Sequence, residues 1–304
     1  MALAAAETGP KPQLPDLRRI FADTKFYWLV LPAFTFFLIF FVIPTVSLFL
    51  ISFDKSVAGV VDVQWDFTLK NYIRFFNRSL YYEAAIRSIG LAAIVSVCTL
   101  ALGYPLAYFV AKTRHPGRNT FYMILVLSAM QLDMVIRLFG LMVLMGDNGV
   151  INGILKDIGA IREPLPLMYN FFGAVVGLVQ FTLPFMVLSL IGIIRSIHPS
   201  LEEAARSLGA NRWTTFWRIT FPLSMPGILA GTLLVFAISI SSYVVPALMG
   251  GWKVIVMPLH IYQQIAEMGK WQFGATIAVV LFVTSVIAVY VYQRFAARTA
   301  GGRA

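Results

Sequence analysis

The sequence has 304 residues, of which 59% are hydrophobic and 12% charged, and its net charge is +10. This balance excludes an ordinary soluble domain, and recurrent uncharged runs longer than 20 residues predict an all-α, polytopic bundle of membrane-spanning helices. The sequence has neither a phosphate-binding G-x-x-x-x-G-K-[ST] loop nor an H-E-x-x-H zinc motif, so we predict no enzymatic, metal or cofactor site in this chain.

Six spans are predicted in chain order. Residues 1–25 hold three prolines and mixed charge, which predicts a flexible cytoplasmic tail before a membrane domain over 26–296 and a second tail over 297–304. The spans follow the apolar runs at 26–51, 88–111, 119–145, within 164–194, from 222 to about 241, and 271–293.

The segments that connect the spans give weaker structural predictions. Residues 65–76 read as an amphipathic segment, 146–149 as a turn before a short surface helix, and 241–251 as a loop after the fifth span. Glycines spaced four residues apart, Gly173 with Gly177 and Gly227 with Gly231, predict close helix packing within the fourth and fifth spans.

The charge distribution predicts the orientation. With a cytoplasmic amino terminus, the inner segments carry 14 of the 24 Lys and Arg residues but five acidic residues, whereas the outer loops carry nine basic and eight acidic residues. The positive-inside rule therefore places both termini in the cytoplasm. Since topology accounts for the positive charge, we predict no nucleic-acid partner.

Residues 200–222, hereafter the elbow, form a charged segment between two apolar spans. Ser200 and Glu203 match a capping box, which predicts a short helix starting there with Ala204, Ala205 and Leu208 on one side. Gly209 fits the left-handed position just past a helix end. Asn211 can cap a second short helix, after which Pro222 opens the fifth span. The pattern predicts a helix–glycine–helix turn on the cytoplasmic face.

The elbow resembles the EAA loop of type I ATP-binding-cassette (ABC) importer permeases. The resemblance rests on Glu203-Ala204-Ala205, Gly209, Ile219 and Pro222 at their fixed spacing, with Phe221 where the family usually has leucine. The stretches at 103–109, 146–155, 183–190 and 243–251 resemble the spermidine/putrescine-type branch. One departure is the sequence QLDMVIRLFG at 131–140, which adds Asp133 before the arginine of the third span.

The resemblance implies a division of labour among subunits. This chain would be a non-enzymatic permease in a bacterial plasma membrane, with a second, homologous permease and an extracytoplasmic solute-binding protein. A cytoplasmic ABC ATPase dimer would bind ATP and magnesium and would dock Glu203, Ala204, Ala205 and Gly209 in a groove. The implied solute is a polyamine. Alternatives are an amino acid, a phosphonate or another organic anion.

A passive channel or secondary transporter is a further alternative. It is disfavoured because the chain has no TVGYG-like filter sequence and no sign of inverted repeats.

Asp133 and Arg137 are the ionisable pair within the predicted third span. Their i, i+4 spacing places them on one helix face, where they either form a self-neutralising ion pair or line the solute path. Tyr243 and Trp252, near the outer end of the fifth span, either offer cation–π contacts to an amine or pack against lipid or a neighbouring helix.

Overall fold

The computed structural model describes residues 25–55, 59, 66–113 and 115–301, and most of these residues are helical. Apart from Lys25, the predicted amino-terminal tail lies outside the described residues, and so do residues 302–304. The chain forms two compact units, Met1–Leu50 and Ile51–Ala304.

The first unit contributes the first predicted span. Its helix α1 comprises Lys25–Phe37, a π-helical turn over Leu38–Val42, and Ile43–Ser52, which extends two residues into the second unit. Large apolar side chains such as Phe36 and Phe40 are exposed along it. After Lys25 the helix is uncharged and apolar on all sides, which suits it to contact lipid or another membrane helix.

The second unit contains the remaining helices. They are α2 (Lys70–Asn77), α3 (Ser79–Lys112), α4 (Pro116–Gln131), α5 (Met134–Met145), α6 (Val150–Asp157), α7 (Phe171–Ser196), α8 (Pro199–Ser207), α9 (Arg212–Thr215, the π-helical Phe216–Thr220 and Phe221–Leu223), α10 (Met225–Ser241), α11 (Val244–Gly250), α12 (Met257–Tyr262, continued by the π-helical Gln263–Glu267) and α13 (Trp271–Gly301).

Among the described residues, five helical stretches are long and apolar enough to cross a membrane, and the pair α9 and α10, bent by 63°, makes a sixth if counted as one span. The helix of the predicted second span begins at Ser79, nine residues earlier than expected. At 1.5 Å per residue α3 is about 51 Å long, so it projects beyond a hydrocarbon core of ~30 Å. Its first turns carry Glu83 and Arg87, which had excluded them from the predicted span.

The predicted third span, an uninterrupted helix over 119–145, is wrong. The helix breaks at Leu132 and Asp133, which separate α4 from α5, and the stretch that qualifies by length and apolarity is Met134–Asp157. The cause is the Asp133 carboxylate, which accepts hydrogen bonds from the Val135 and Ile136 backbone N–H groups and so starts a new helix.

The predicted loop at 241–251 is also wrong, because most of it forms α11. Val245 and Met249 are fully buried, and α11 packs against α7. Tertiary packing of these apolar side chains outweighs the local loop signal of serine, proline and glycine.

The centre of the second unit is formed by α3, α7 and α10, which pack on one another in all three pairs. Both predicted close contacts are confirmed. A Cβ atom on Gly177 would lie 2.7 Å from Val245 Cγ1 of α11, and one on Gly231 would lie 2.7 Å from Met186 Sδ of α7. Hydrogen bonds also cross this core, such as the one between the hydroxyls of Thr99 and Thr182 at 3.2 Å.

A second apolar cluster joins α2, the start of α3, α12 and α13. The predicted amphipathic segment forms α2 and buries Phe75 in this cluster. Phe75 stacks on Tyr81, and Tyr81 meets Phe273 of α13 edge-on at 5.0 Å. These contacts join α2, near the start of the second unit, to α13, near its end. Aromatic packing therefore fixes one end of α3, and the elbow fixes the other.

Candidate coupling site

The elbow begins with α8, whose start differs from the prediction. The helix begins at Pro199, and His198 rather than Ser200 is its N-cap, with Nδ1 accepting a hydrogen bond from the Ser200 backbone N–H at 3.4 Å. The predicted capping box is therefore wrong. Proline at the first helical position has its φ already set for a helix and lacks a donor that would otherwise be unsatisfied.

Gly209 ends α8 as predicted. Its φ is +86°, and no atom lies within 4 Å of the position that a Cβ would occupy, so backbone conformation rather than space requires glycine here. The Gly209 and Ala210 N–H groups donate to the Arg206 and Ala205 carbonyls, which is a Schellman motif. Asn211 then caps α9 as predicted, with Oδ1 accepting from the Thr214 N–H at 2.8 Å.

The predicted coupling residues lie on the outward side of α8. Glu203, Ala204 and Gly209 are exposed and Ala205 is half-buried. Leu208, predicted on one side of the helix with the two alanines, is 89% exposed. An exposed leucine beside small residues forms a close-approach surface that lacks a partner within the described part of the chain.

The adjacent Glu202 points inward, which sequence reasoning missed. It is 8% exposed, forms an ion pair with Lys112 Nζ at the end of α3 at 2.7 Å, and accepts a hydrogen bond from the Thr220 hydroxyl at 2.7 Å. This contact joins α3 and both halves of the elbow.

The charge state of Glu202 follows from these contacts. Burial raises the pKa of the carboxyl, but hydrogen bonds from Lys112 and Thr220, with the positive charges of Lys112 and Arg206, outweigh it and hold the pKa below its ordinary value. Glu202 is therefore ionised at neutral pH. The only sequence signal for its inward position is helical periodicity, because Glu202 and the outward Glu203 are about 100° apart around α8.

Further contacts attach the helix ends on this side of the second unit. Arg195, at the end of α7, donates from Nη2 to Asn119 Oδ1 at 2.5 Å. Asn119 in turn donates to the Val110 carbonyl at 3.1 Å. The Tyr104 and Ser224 hydroxyls are 2.8 Å apart where α9 turns into α10. The elbow is thus connected to α3 and α10.

Asp133 and Arg137 are not brought together as an ion pair. They share no nitrogen–oxygen contact within 4.0 Å, since Asp133 is an exposed N-cap and the Arg137 guanidinium lies over the Phe181 ring at 5.1 Å. Arg137 Nε is buried without a hydrogen-bond partner in the described structure. The break before α5 explains this, because it turns the Asp133 side chain toward its own backbone.

Tyr243 and Trp252 both flank α11. Tyr243 precedes α11 and stacks on Tyr262 of α12 with ring centroids 5.4 Å apart at 14°. Trp252 follows α11 with a φ of +63° and is 48% exposed. Both aromatic faces are partly accessible, but they belong to different turns and make no contact with Asp133 or Arg137.

Metal-ligating side chains do not converge in the part of the chain that the structure describes, where no group of three or more His, Cys, Asp or Glu residues could hold an ion.

Comparison with known proteins identifies a matching protein family. A family described as the binding-protein-dependent transport system inner membrane component matches residues 20–301. The spermidine/putrescine transport system permease protein PotB of Haemophilus influenzae is 34% identical over 258 residues, which cover 84% of this chain and 89% of that protein. PotB of Escherichia coli strain K12 is 37% identical over 232 residues, covering 76% of this chain and 84% of that protein.

Among solved structures, a chain of a bacterial alginate ABC transporter, in complex with an alginate pentasaccharide-bound periplasmic protein, superposes with a TM-score of 0.74. The match covers 93% of this chain and 97% of that chain at 18% sequence identity. The predicted all-α importer-permease fold is thereby confirmed.

Proposed function

Because the chain belongs to the family of inner-membrane components of binding-protein-dependent transport systems, we propose that it is the permease subunit of an ATP-driven polyamine importer. Membership confirms the resemblance inferred from the elbow, and the chain is a multi-pass inner-membrane permease. The polyamine assignment is supported by the two PotB relatives, which are named as spermidine/putrescine permeases and match most of this chain.

ATP hydrolysis is assigned to a partner. A cytoplasmic ABC ATPase dimer binds ATP and magnesium and receives the outward side of α8, formed by Glu203, Ala204, Ala205 and Gly209. The single observation that carries this assignment is the elbow itself, in which a left-handed Gly209 displays an exposed, small-residue surface while Glu202 fixes its inward side. Motion of the ATPase then reaches α3 and α10 through the elbow.

The remaining partners complete the pathway. A second, homologous permease forms the other half of the solute path, and an extracytoplasmic binding protein delivers the solute. Both termini and the elbow lie in the cytoplasm, an orientation supported by the excess of basic residues in the inner segments.

Four side chains are proposed to contact the solute path. The exposed Asp133 uses one carboxylate oxygen, Oδ1, to cap α5, which leaves Oδ2 for an ammonium group. Tyr243 and Trp252 offer partly exposed aromatic faces for cation–π contacts. Arg137 would limit how deeply a cation approaches Phe181.

The positive charge of Arg137 also supports a second candidate. If its guanidinium faces the path, an anionic solute such as a carboxylate or phosphonate would bind there, and the importer would carry an organic anion rather than an amine.

Gly209 provides the test of coupling. Gly209→Val in the assembled complex should lower ATP-driven uptake at least tenfold while leaving membrane insertion intact, because a β-branched side chain disfavours φ of +86°. Gly209→Asn should retain more uptake, because asparagine tolerates this conformation. Glu203→Lys should abolish uptake, because it reverses the charge of an exposed carboxylate on the proposed docking surface.

Gly117→Val is the matched control. Gly117 lies in α4, has no positive φ, and likewise has open space where the Cβ of a larger residue would lie. Full uptake by Gly209→Val and Glu203→Lys would contradict the coupling assignment.

A further inference from the structure

An open cavity of about 1000 Å³ lies between α3 and the elbow, and nothing in the coupling mechanism uses it. Its wall contains six aromatic side chains: Tyr104, Tyr108, Trp213, Phe216, Trp217 and Phe221. They pack mostly edge-on or tilted, with Phe216 perpendicular to Tyr108 at 5.6 Å. Tryptophan and tyrosine concentrate where a membrane protein meets lipid headgroups.

The mouth of the cavity is positively charged. Arg206 of α8 and Arg212 of α9 line it, both are exposed, and neither has an ion-pair partner within 4.0 Å among the described residues. The nearby carboxylate, Glu202, is already paired with Lys112. Both guanidinium groups interact electrostatically with Tyr108, so the mouth favours an anion, and their planar donor arrays match phosphate oxygens.

A second, more apolar cavity of about 580 Å³ lies between α3, α10 and α13, and Leu100 lines both cavities. The combined apolar surface runs along α3 from Tyr108 to Ile89, about 28 Å at 1.5 Å per residue. One leaflet occupies about half of a ~30 Å hydrocarbon core, so this surface is long enough for an acyl chain.

We propose that this cavity binds an anionic phospholipid of the cytoplasmic leaflet. The phosphate lies between Arg206 and Arg212, and an acyl chain passes the aromatic wall toward Leu100. The proposal rests on the cytoplasmic position of the elbow given above. A transported polyamine is a poor occupant because both arginines repel cations.

The lipid would bridge the coupling element and a span. Tyr104 and Tyr108 belong to α3, whereas Trp213, Phe216 and Trp217 belong to α9, so one ligand contacts both walls. The lipid would add to the direct connections between α3 and the elbow, which are the ion pair of Lys112 and Glu202 and the aromatic contact of Tyr108 with Phe216. We therefore expect the lipid composition of the inner leaflet to influence how firmly the elbow is held.

The test is photo-crosslinking in the assembled complex. The complex is reconstituted in nanodiscs of phosphatidylethanolamine containing a small fraction of phosphatidylglycerol with a diazirine in its acyl chain, and adducts are mapped by mass spectrometry. Adducts should fall in 100–108 and 213–221. Arg206→Gln and Arg212→Gln should each lower them about fivefold, and the double variant about 30-fold, since each basic residue near anionic lipid contributes about that factor.

Arg218→Gln is the matched control for Arg212→Gln, because Arg218 is an exposed arginine of α9 that does not line the cavity. Its adduct yield should equal that of the wild type. Equal yields from a diazirine phosphatidylcholine, an Arg218→Gln loss as large as that of Arg212→Gln, or no adducts at the two segments would overturn the proposal. Copurification of the ATPase is scored on the same samples. Its absence would contradict the proposed function, whereas missing adducts in an intact complex contradict the lipid site alone.

Discussion

Two adjacent carboxylates, Glu202 and Glu203, have different surroundings although the sequence presents them as a pair. Glu203 is exposed, whereas Glu202 is buried against Lys112 and Thr220. Glu202→Gln keeps an acceptor for Thr220 but leaves the Lys112 ammonium without its counter-charge. We expect the free energy of unfolding to fall by about 1–3 kcal/mol and hydrogen exchange across residues 199–223 to become faster.

A charge swap, Lys112→Glu with Glu202→Lys, should restore part of the protection from hydrogen exchange. The control is Asp157→Asn, which changes an exposed carboxylate of α6. Unchanged exchange in Glu202→Gln would show that the ion pair does not hold the elbow.

The difference in stability between wild type and Glu202→Gln should depend on pH. The folded pKa of Glu202 lies below its ordinary value of 4.5, so the stabilisation is fully present above that value and is lost as the pH falls through the lower folded pKa. The thermal midpoints of wild type and Glu202→Gln should therefore differ at pH 7 and converge as the pH falls below 4.5.

The residues of the elbow show how far sequence reasoning reaches. Gly209 and Asn211 were predictable because a left-handed glycine and an Asx cap are local features. Glu202 was not, since its partner Lys112 is 90 residues away in sequence and the contact exists only in the folded chain. His198 was missed for a different reason: its contact with the Ser200 N–H is local, but the capping box matched the same stretch and a histidine N-cap was not predicted.

At the scale of helices, close packing on α7 gives a direct test. A Cβ on Gly173 would lie 2.8 Å from the Met249 carbonyl oxygen and 3.0 Å from that of Leu167, and both are backbone atoms that cannot rotate away. Gly173→Ala should lower stability by about 1–3 kcal/mol through overpacking, measured as a lower thermal midpoint in detergent.

Gly192→Ala is the matched control, because Gly192 lies in the same helix with no atom within 4 Å of a Cβ. It should leave the midpoint unchanged or raise it slightly, since alanine is the better helix former. Equal midpoints for the two variants would mean that α11 does not approach α7 as closely as described.

Helices were predictable where apolar length alone decides. The fourth and sixth predicted spans correspond to α7 and α13, both of which contain a long uncharged run. The break before α5 was not predicted, because an aspartate within an apolar run reads equally well as an intramembrane charge or as an N-cap. α11 was missed because its stability comes from buried contacts of Val245 and Met249 with other helices.

At the scale of the whole molecule, orientation is the first quantity to test. Single cysteines at Asp157 and Ser207, both exposed, are introduced in a Cys98→Ala background. With the elbow in the cytoplasm, a membrane-impermeant maleimide should label position 157 in intact spheroplasts and position 207 only after permeabilisation. Labelling of position 207 from outside would reverse the assignment.

The proposed role of this chain is to form half of an ATP-driven path for polyamines. The most direct measurement is uptake of labelled putrescine and spermidine by proteoliposomes that contain the permeases and ATPase, with ATP inside and binding protein outside. Uptake should require both ATP and binding protein and should be at least tenfold lower in Gly209→Val. Uptake of neither polyamine while ATP hydrolysis is stimulated by a different solute, or uptake that continues without ATP, would contradict this role.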